Sequence, residues 1–428
     1  MKQMQPLFHH LSESQLYVAS SSKSSLSVIP TETVLIEAKS TAAVKRFQQK
    51  FGLTIVREGT FGKVLMLAPE GGIAGIQLAA KAAVGGQEMS GIESAQPNFL
   101  RVMRRVRPSA AGNQPLWNHH NDGNPGVASA DVAADAAWTI SRGDGSIRVA
   151  VLDEGCDTNH PALKAAVVAE KDVVDDNPHA RPDGDDAHGT ACAGIILSRD
   201  SKFPGLAPAV SLIAVRIAKG DGGDGWIFDD ASVADAIDWS WQDGKADVLS
   251  NSWGGGPPVD SLTRAFERAR TRGRGGKGSV IAIATGNENA AVSFPATLPN
   301  VLGVGASTPW DERKSPTSKD GENWWGSNSG KGLDLVAPGV WIATTDISGA
   351  AGYSTNNFVK NFNGTSSATP HVAAAAALIL SVNPQLTELQ VRNLLIASTD
   401  QITTKAGWQS SVGYGRLNIY KALRAARR

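Results

Sequence analysis

Four short stretches of the chain carry side chains able to do chemistry on a carbonyl group. Asp153 follows the apolar run Ile147–Leu152, His188 heads H-G-T-A-C-A-G, Asn287 sits within A-T-G-N-E-N, and Ser366 lies in N-G-T-S-S-A-T-P-H-V. Taken singly, each has an ordinary structural reading. An Asp or Asn after a strand forms a turn, a His at a helix start is a polar cap, and a Ser before an apolar helix caps it. Taken together, they are the parts that nucleophilic acyl transfer needs. A serine hydroxyl is a weak nucleophile, so an imidazole must remove its proton, and a carboxylate must orient that imidazole and stabilise its cation. An amide donor must then meet the negative charge that develops on the attacked oxygen. Ser366 is expected at the mouth of a helix that Pro370 opens and Ala373–Leu380 continues, where backbone N–H groups lack intrahelical partners.

The elements that must position these residues follow from the periodicity. From about Leu116, the short apolar runs Ile147–Leu152, Leu212–Ile217, Val248–Asn251, Val280–Ala284, Val301–Gly305 and Leu333–Val336 alternate with helical windows such as Asp230–Trp241 and Ser261–Arg270. The pattern predicts an α/β fold, a doubly wound, mainly parallel sheet with helices on both faces and function gathered at C-terminal strand ends. Ahead of it, Val34–Ala38, Thr41–Phe51, Leu53–Glu58, Gly62–Leu67, Ile73–Val84 and Ile92–Val102 read strand, helix, strand, strand, helix, strand. That order predicts a small α+β ferredoxin-like domain. Arg101–Arg107, R-V-M-R-R-V-R, has no interleaved aromatics and leads into P-S-A-A-G-N-Q-P. It reads as a solvated or protease-sensitive linker in preference to an RNA-binding patch. The expected division is a loose Ser-rich arm at 1–30, a small domain at 31–107, a linker with a processing region at 108–116 and a large domain at 117–428.

Composition removes several classes. The 41 Lys and Arg balance 41 Asp and Glu, which leaves no electrostatic case for nucleic acid. Two cysteines cannot staple a domain of this length. No run of about 18 apolar residues predicts a membrane span. The N-terminus lacks the basic start and apolar stretch of a secretory signal, so a cytoplasmic location or a non-standard export route is expected, for a monomer.

The chain resembles the subtilisin-like serine proteases, or subtilases, in five ordered motifs spread over Trp117–Leu423. They are V-A-V-L-D-E-G at 149–155, H-G-T-A-C-A-G at 188–194, S-N-S-W-G-G at 250–255, A-T-G-N-E-N at 284–289 and N-G-T-S-S-A-T-P-H-V-A at 363–373. The resemblance implies a serine endopeptidase working through an acyl-enzyme, with Asp153 as orienter, His188 as general base then acid, and Ser366 as nucleophile. It implies an oxyanion hole made by the Asn287 side chain and the Ser366 N–H. It also implies that Ser252, Trp253 and Gly254 pair with an extended substrate and that Ala284, Thr285 and Gly286 wall the primary side-chain pocket. By the same resemblance, 31–107 is a propeptide that assists folding and lies over the active site, so the protein's partners are extended peptides and its own propeptide. The intact H-G-T-x-x-A-G separates the chain from the sedolisins, which use Glu as base.

Departures from the family pattern carry expectations of their own. Ala162 stands where many subtilisins have a calcium-binding Asp. The chemistry requires no cofactor, and the acidic stretch with Asp175, Asp176, Asp183 and Asp185 is the candidate for a weak structural calcium site, against the alternative of a solvated loop. Ser367 replaces a Met whose oxidation inactivates many relatives. Cys156 and Cys192 flank the triad and are expected buried and unpaired. Trp226 and the loop Lys219–Asp230 border the outer pockets, where Asp224, Asp229 and Asp230 would favour a basic side chain. Ser293 is expected near the floor of the primary pocket, and with no acid there the reading is a broad or apolar preference at the cleaved residue. Two other classes stay open: a peptide transferase or cyclase using the same acyl-enzyme, and a silent peptide-binding relative.

Overall fold

The computed structural model describes residues 26–106, 114–221 and 225–427. Seven parallel strands make the central sheet, in the order Leu335–Pro338, Leu302–Ser307, Val280–Ala284, Val248–Asn251, Arg148–Asp153, Ser211–Arg216 and Val167–Asp172. Helices cover both faces, so the inner strands read as unbroken apolar runs rather than alternations. One core packs around the helices His188–Leu197 and Thr365–Val382, the other around Asp230–Gln242 and Asp260–Arg272. The strand order changes direction between Arg148–Asp153 and Val248–Asn251. Such a reversal opens a crevice at the carboxyl ends of the strands, which is where Asp153 stands.

The helix Thr365–Val382 is buried from its first residue to Leu380. It begins five residues before Pro370, so the proline lies inside the helix instead of opening it. By length and hydropathy it is the one described helix that could cross a membrane, and 89% of that window is buried as core.

The smaller module has its four strands in the order Thr54–Glu58, Lys63–Leu67, Leu26–Ala38 and Ile92–Arg104, all antiparallel. Alternation along its strands decides its packing. Val34, Ile36, Val64 and Met66 face the helices Thr41–Phe51 and Gly72–Gln87, while Leu35 and Leu65 on the opposite face meet Ala231 of the large part. The first strand starts at Leu26, so the arm expected at 1–30 is shorter, and 1–25 lie outside the described residues. The last strand also runs past Val102. It pairs antiparallel with Gly225–Asp229, from Leu100 opposite Asp229 to Arg104 opposite Gly225, and so joins the two parts in one sheet. The solvated linker expected at Arg101–Arg107 is therefore ordered strand through Arg104. Residues 107–113, within that linker, lie outside the described residues.

Buried charges fasten the junction. Lys63, 1% exposed, reaches Asp235 at 2.6 Å and Asp238 at 2.7 Å, and Arg268 links Asp238 at 2.7 Å to Glu37 at 3.1 Å. Removing one partner of such a network leaves an uncompensated charge in a low dielectric. Lys63→Met should lower the unfolding free energy by about 3–5 kcal/mol, read from urea titration. A change within about 0.5 kcal/mol would show that the network does not stabilise the junction.

Candidate active site

Asp153 ends its strand with a side chain 1% exposed, and His188 starts the facing helix. The His188 Nδ1 lies 2.9 Å from Asp153 Oδ1 and 3.1 Å from Oδ2. Their close approach needs a glycine: a Cβ on Gly189 would fall 2.0 Å from the Gly155 carbonyl oxygen and 2.9 Å from the Asp153 Cβ. Glu154 fixes the helix start, because its Oε1 accepts the His188 N–H at 2.8 Å. The rings of Trp226 and Phe362 pack on the imidazole at centroid distances of 5.4 and 5.3 Å. Burial lowers the pKa of His188, but the Asp153 carboxylate and its hydrogen bond raise it more, so the net shift from 6.5 is upward.

Ser366 is the second residue of the helix Thr365–Val382, entered through Gly364 at φ 117°, a conformation that side-chain-bearing residues rarely adopt. Pro370 lacks the N–H that would bond the carbonyl four residues back, which is that of Ser366. That carbonyl instead accepts the Ser252 hydroxyl at 2.9 Å and the Cys192 thiol at 3.6 Å. The Ser366 Oγ donates in turn to the Ser252 carbonyl at 3.2 Å. Cys192 lies between the two sites, its Sγ also 3.8 Å from His188 Nδ1. Across the groove, Asn287 Oδ1 accepts the Thr365 N–H at 2.8 Å and the Thr365 hydroxyl at 3.0 Å, which leaves Nδ2 as the amide's donor end. His188, Asn287 and Ser366 border one cavity of about 230 Å³.

The other expected residues divide. Ser252 and Gly254 line that cavity, as do Ala284, Gly286 and Ser293. Trp253 also borders it but is 1% exposed and packs on Phe228 and Phe266, at centroid distances of 5.5 and 6.0 Å. Thr285 points into the core, with its hydroxyl on the carbonyls of Val304 and Asn328. The strand Leu100–Arg104 pairs with Gly225–Asp229 on one side of the groove, while the Ser252 hydroxyl donates to the Ser366 carbonyl and the Ser252 carbonyl accepts the Ser366 hydroxyl. Asp229 caps its helix by accepting the Ser232 N–H at 3.0 Å. Asp224 lies outside the described residues. The acidic stretch does not gather a cation site from its side chains. Asp175 pairs with Arg216 at 2.6 Å, Asp176 lies 3.8 Å from Lys171, and no three of the four candidates converge among the described residues.

The sequence reading did not indicate which side chains of the small module enter the groove. Met103, Arg104 and Arg105 border the cavity beside His188 and Ser366, and Gly254 N–H points to Met103 Sδ at 3.4 Å. Arg105 reaches Glu154 Oε2 and Asp186 Oδ1, both at 2.6 Å. Burial pushes Glu154 up to about 8, opposed by the Arg105 charge and helped by Asp186. The four arginines of R-V-M-R-R-V-R and the carboxylates beside Asp153 and His188 were the available signal.

Comparison with known proteins agrees with this geometry. A family model described as "Subtilase family" matches residues 144–415. The chain is similar to the calcium-dependent protease of Nostoc sp., 31% identical over 418 residues, covering 88% of this chain and 60% of that protein. It is also similar to thermitase of Thermoactinomyces vulgaris, 34% identical over 297 residues, covering 68% of this chain and 93% of thermitase. Among solved structures it resembles fervidolysin from Fervidobacterium pennivorans, a keratinolytic enzyme related to subtilisin, with a TM-score of 0.71, 23% identity, and 92% of this chain and 60% of that one covered. At that identity the likeness establishes fold alone.

Cys156 and Cys192 are both buried and unpaired. Burial first, then neighbouring carboxylates, pushes both thiols well above their ordinary range. Iodoacetamide at about pH 8 should therefore leave both unmodified in the native protein and alkylate both after denaturation. Intact mass reads the result, and two adducts on the folded protein would contradict it.

Proposed function

Because the chain belongs to the subtilase family of serine peptidases, we propose that it is an endopeptidase made in a self-inhibited form, with Asp153, His188 and Ser366 as its triad. The observation that carries this reading is the meeting of His188, Asn287 and Ser366 at one groove, with Asp153 behind His188, from strand ends and helix starts far apart in sequence. In this mechanism the Ser366 hydroxyl, which rests on the Ser252 carbonyl, turns to His188 Nε2. His188 then takes the proton as the oxygen attacks the substrate carbonyl, while Asp153 holds Nδ1–H and stabilises the imidazolium. The oxyanion meets Asn287 Nδ2 and the Ser366 N–H, donors that are fixed before the charge develops. His188 next protonates the leaving amine, and water resolves the acyl-enzyme by the same route in reverse.

The N-terminal module fits an inhibitor. Its last strand extends a sheet of the catalytic part and delivers Met103–Arg105 to the groove, so that the chain itself occupies the place of a substrate. Processing would then fall between Val106 and Leu116.

Intact mass of the expressed chain beside Ser366→Ala tests the reading: the wild type should shorten at the junction and the variant should keep its full mass. Equal processing of both would overturn it. Asn287→Ala should lower kcat by roughly 100- to 1,000-fold with little change in KM, equivalent to about 2.7–4 kcal/mol, the range known for the side-chain oxyanion donor of subtilisin. The pH profile of kcat/KM gives a separate check. The base must be neutral, and the raised pKa of His188 places the loss of activity on acidification above the ordinary 6.5. An acid limb below that value would contradict the Asp153–His188 pairing as the cause.

A further inference from the structure

The groove holds two buried carboxylate sockets, one filled by an arginine of the strand that lies in it and the other by the arginine just past that strand's end. At the outer socket, Arg101 is 1% exposed, and its Nε and Nη2 take the two oxygens of Asp230 at 2.5 and 3.1 Å. Its Nη1 donates to the Gly255 carbonyl and its Nη2 to that of Pro257 at 3.0 Å, while the guanidinium packs over Phe294 with its carbon 5.6 Å from the ring centroid. At the inner socket, beside the triad, Arg105 bridges Glu154 and Asp186. The other oxygens of these two acids are held by the His188 N–H and the Gly220 N–H, so both carboxylates are fixed in place.

Arg101 and Met103, two apart in the strand, fall on one side of it, and Arg105 is the first residue past its end. The two arginines are four residues apart, a span of about 13 Å where a chain is extended. All three acids belong to the catalytic part, and both cations belong to the segment that must leave. Burial pushes Asp230 up to about 6, against the pull of Arg101. A departed tail therefore leaves acids whose ionised form is costly until another cation arrives.

We propose that these sockets are specificity pockets: the enzyme prefers extended substrates carrying arginine at two positions four residues apart, R-x-x-x-R, with Asp230 reading the outer arginine and Glu154 with Asp186 reading the inner one. This rests on the peptidase reading above and adds its substrate class. The outer socket offers four acceptors, two carboxylate oxygens and two carbonyls, which the planar donor fork of a guanidinium matches and an ammonium does not.

The test uses the full chain, incubated until casein hydrolysis is steady, and a panel of peptides containing R-V-M-R-R with Arg, Lys or Gln at the first and fifth positions. For the wild type, each Arg→Gln replacement should lower kcat/KM about tenfold or more, and Lys at the first position should be poorer than Arg. Asp230→Asn should abolish the discrimination at the first position only, and Asp186→Asn should weaken it at the fifth only. These are ratios between substrates for one enzyme sample, so partial misfolding of a variant does not change them. Casein hydrolysis without discrimination by the wild type, or discrimination untouched by both variants, would overturn the pockets while leaving the peptidase reading standing. No hydrolysis of casein or of any peptide would overturn both.

Discussion

The structure depends on one carbonyl that its own helix cannot satisfy. Pro370 deprives the Ser366 carbonyl of its intrahelical donor, and a buried carbonyl without a partner is costly, so donors must come from elsewhere in the fold. They come from Ser252, which follows the strand Val248–Asn251, and from Cys192, one turn beyond His188. Ser366 is thereby tied to the element that lines the groove and to the helix that carries His188. The rest of the helix makes this possible. Ala373–Ala377 are all fully buried, and side chains that small let a helix press against the strands ending in Asn251, Ala284 and Ser307.

A second constraint is charge held out of water. Asp153 and His188 meet at 4% exposure or less, where a carboxylate polarises an imidazole far more strongly than it could in solvent. Glu154 shares that environment and couples two functions through its two oxygens. One holds the His188 backbone, and the other meets the Arg105 guanidinium. The segment in the groove is thus bound partly by a group that also seats the base. Cys192 is kept neutral by the same burial, and its thiol serves as a weak donor and a filler of space beneath the imidazole.

How much of this was legible in the sequence depended on distance along the chain. Asp153 and Asn287 could be found because a parallel sheet collects the carboxyl ends of its strands at one edge, and His188 and Ser366 because each stands in a small-residue motif that opens a buried helix. The small module was legible from periodicities of 2 and 3.6 within about 70 residues. The role of Arg101 and Arg105 was not. An arginine run beside Pro and Gly looks solvated until its partners are known, and those partners, Glu154, Asp186 and Asp230, lie some 50 to 130 residues further on. The acidic stretch left two readings open, and nothing local reveals that Arg216, from another strand, pairs with Asp172 and Asp175. The start of the helix was misplaced for a related reason, since Pro favours a first turn, yet here it is tolerated deeper because Ser252 and Cys192 replace the lost bond.

The junction between module and catalytic part combines two kinds of recognition with different consequences. Main-chain pairing of Leu100–Arg104 with Gly225–Asp229 is indifferent to side chains, so any extended segment could take it. What distinguishes this segment is the set of charges that only its own residues complete, at Lys63, Arg101 and Arg105. Cutting the chain after Arg105 would leave the ion pairs and the strand pairing intact, so scission alone does not free the groove. Release requires the buried pairs to separate as well, and each separation exposes carboxylates that water must resolvate. If the module inhibits as proposed, scission alone does not end the inhibition, and its departure is governed by whatever supplies an alternative state for those charges.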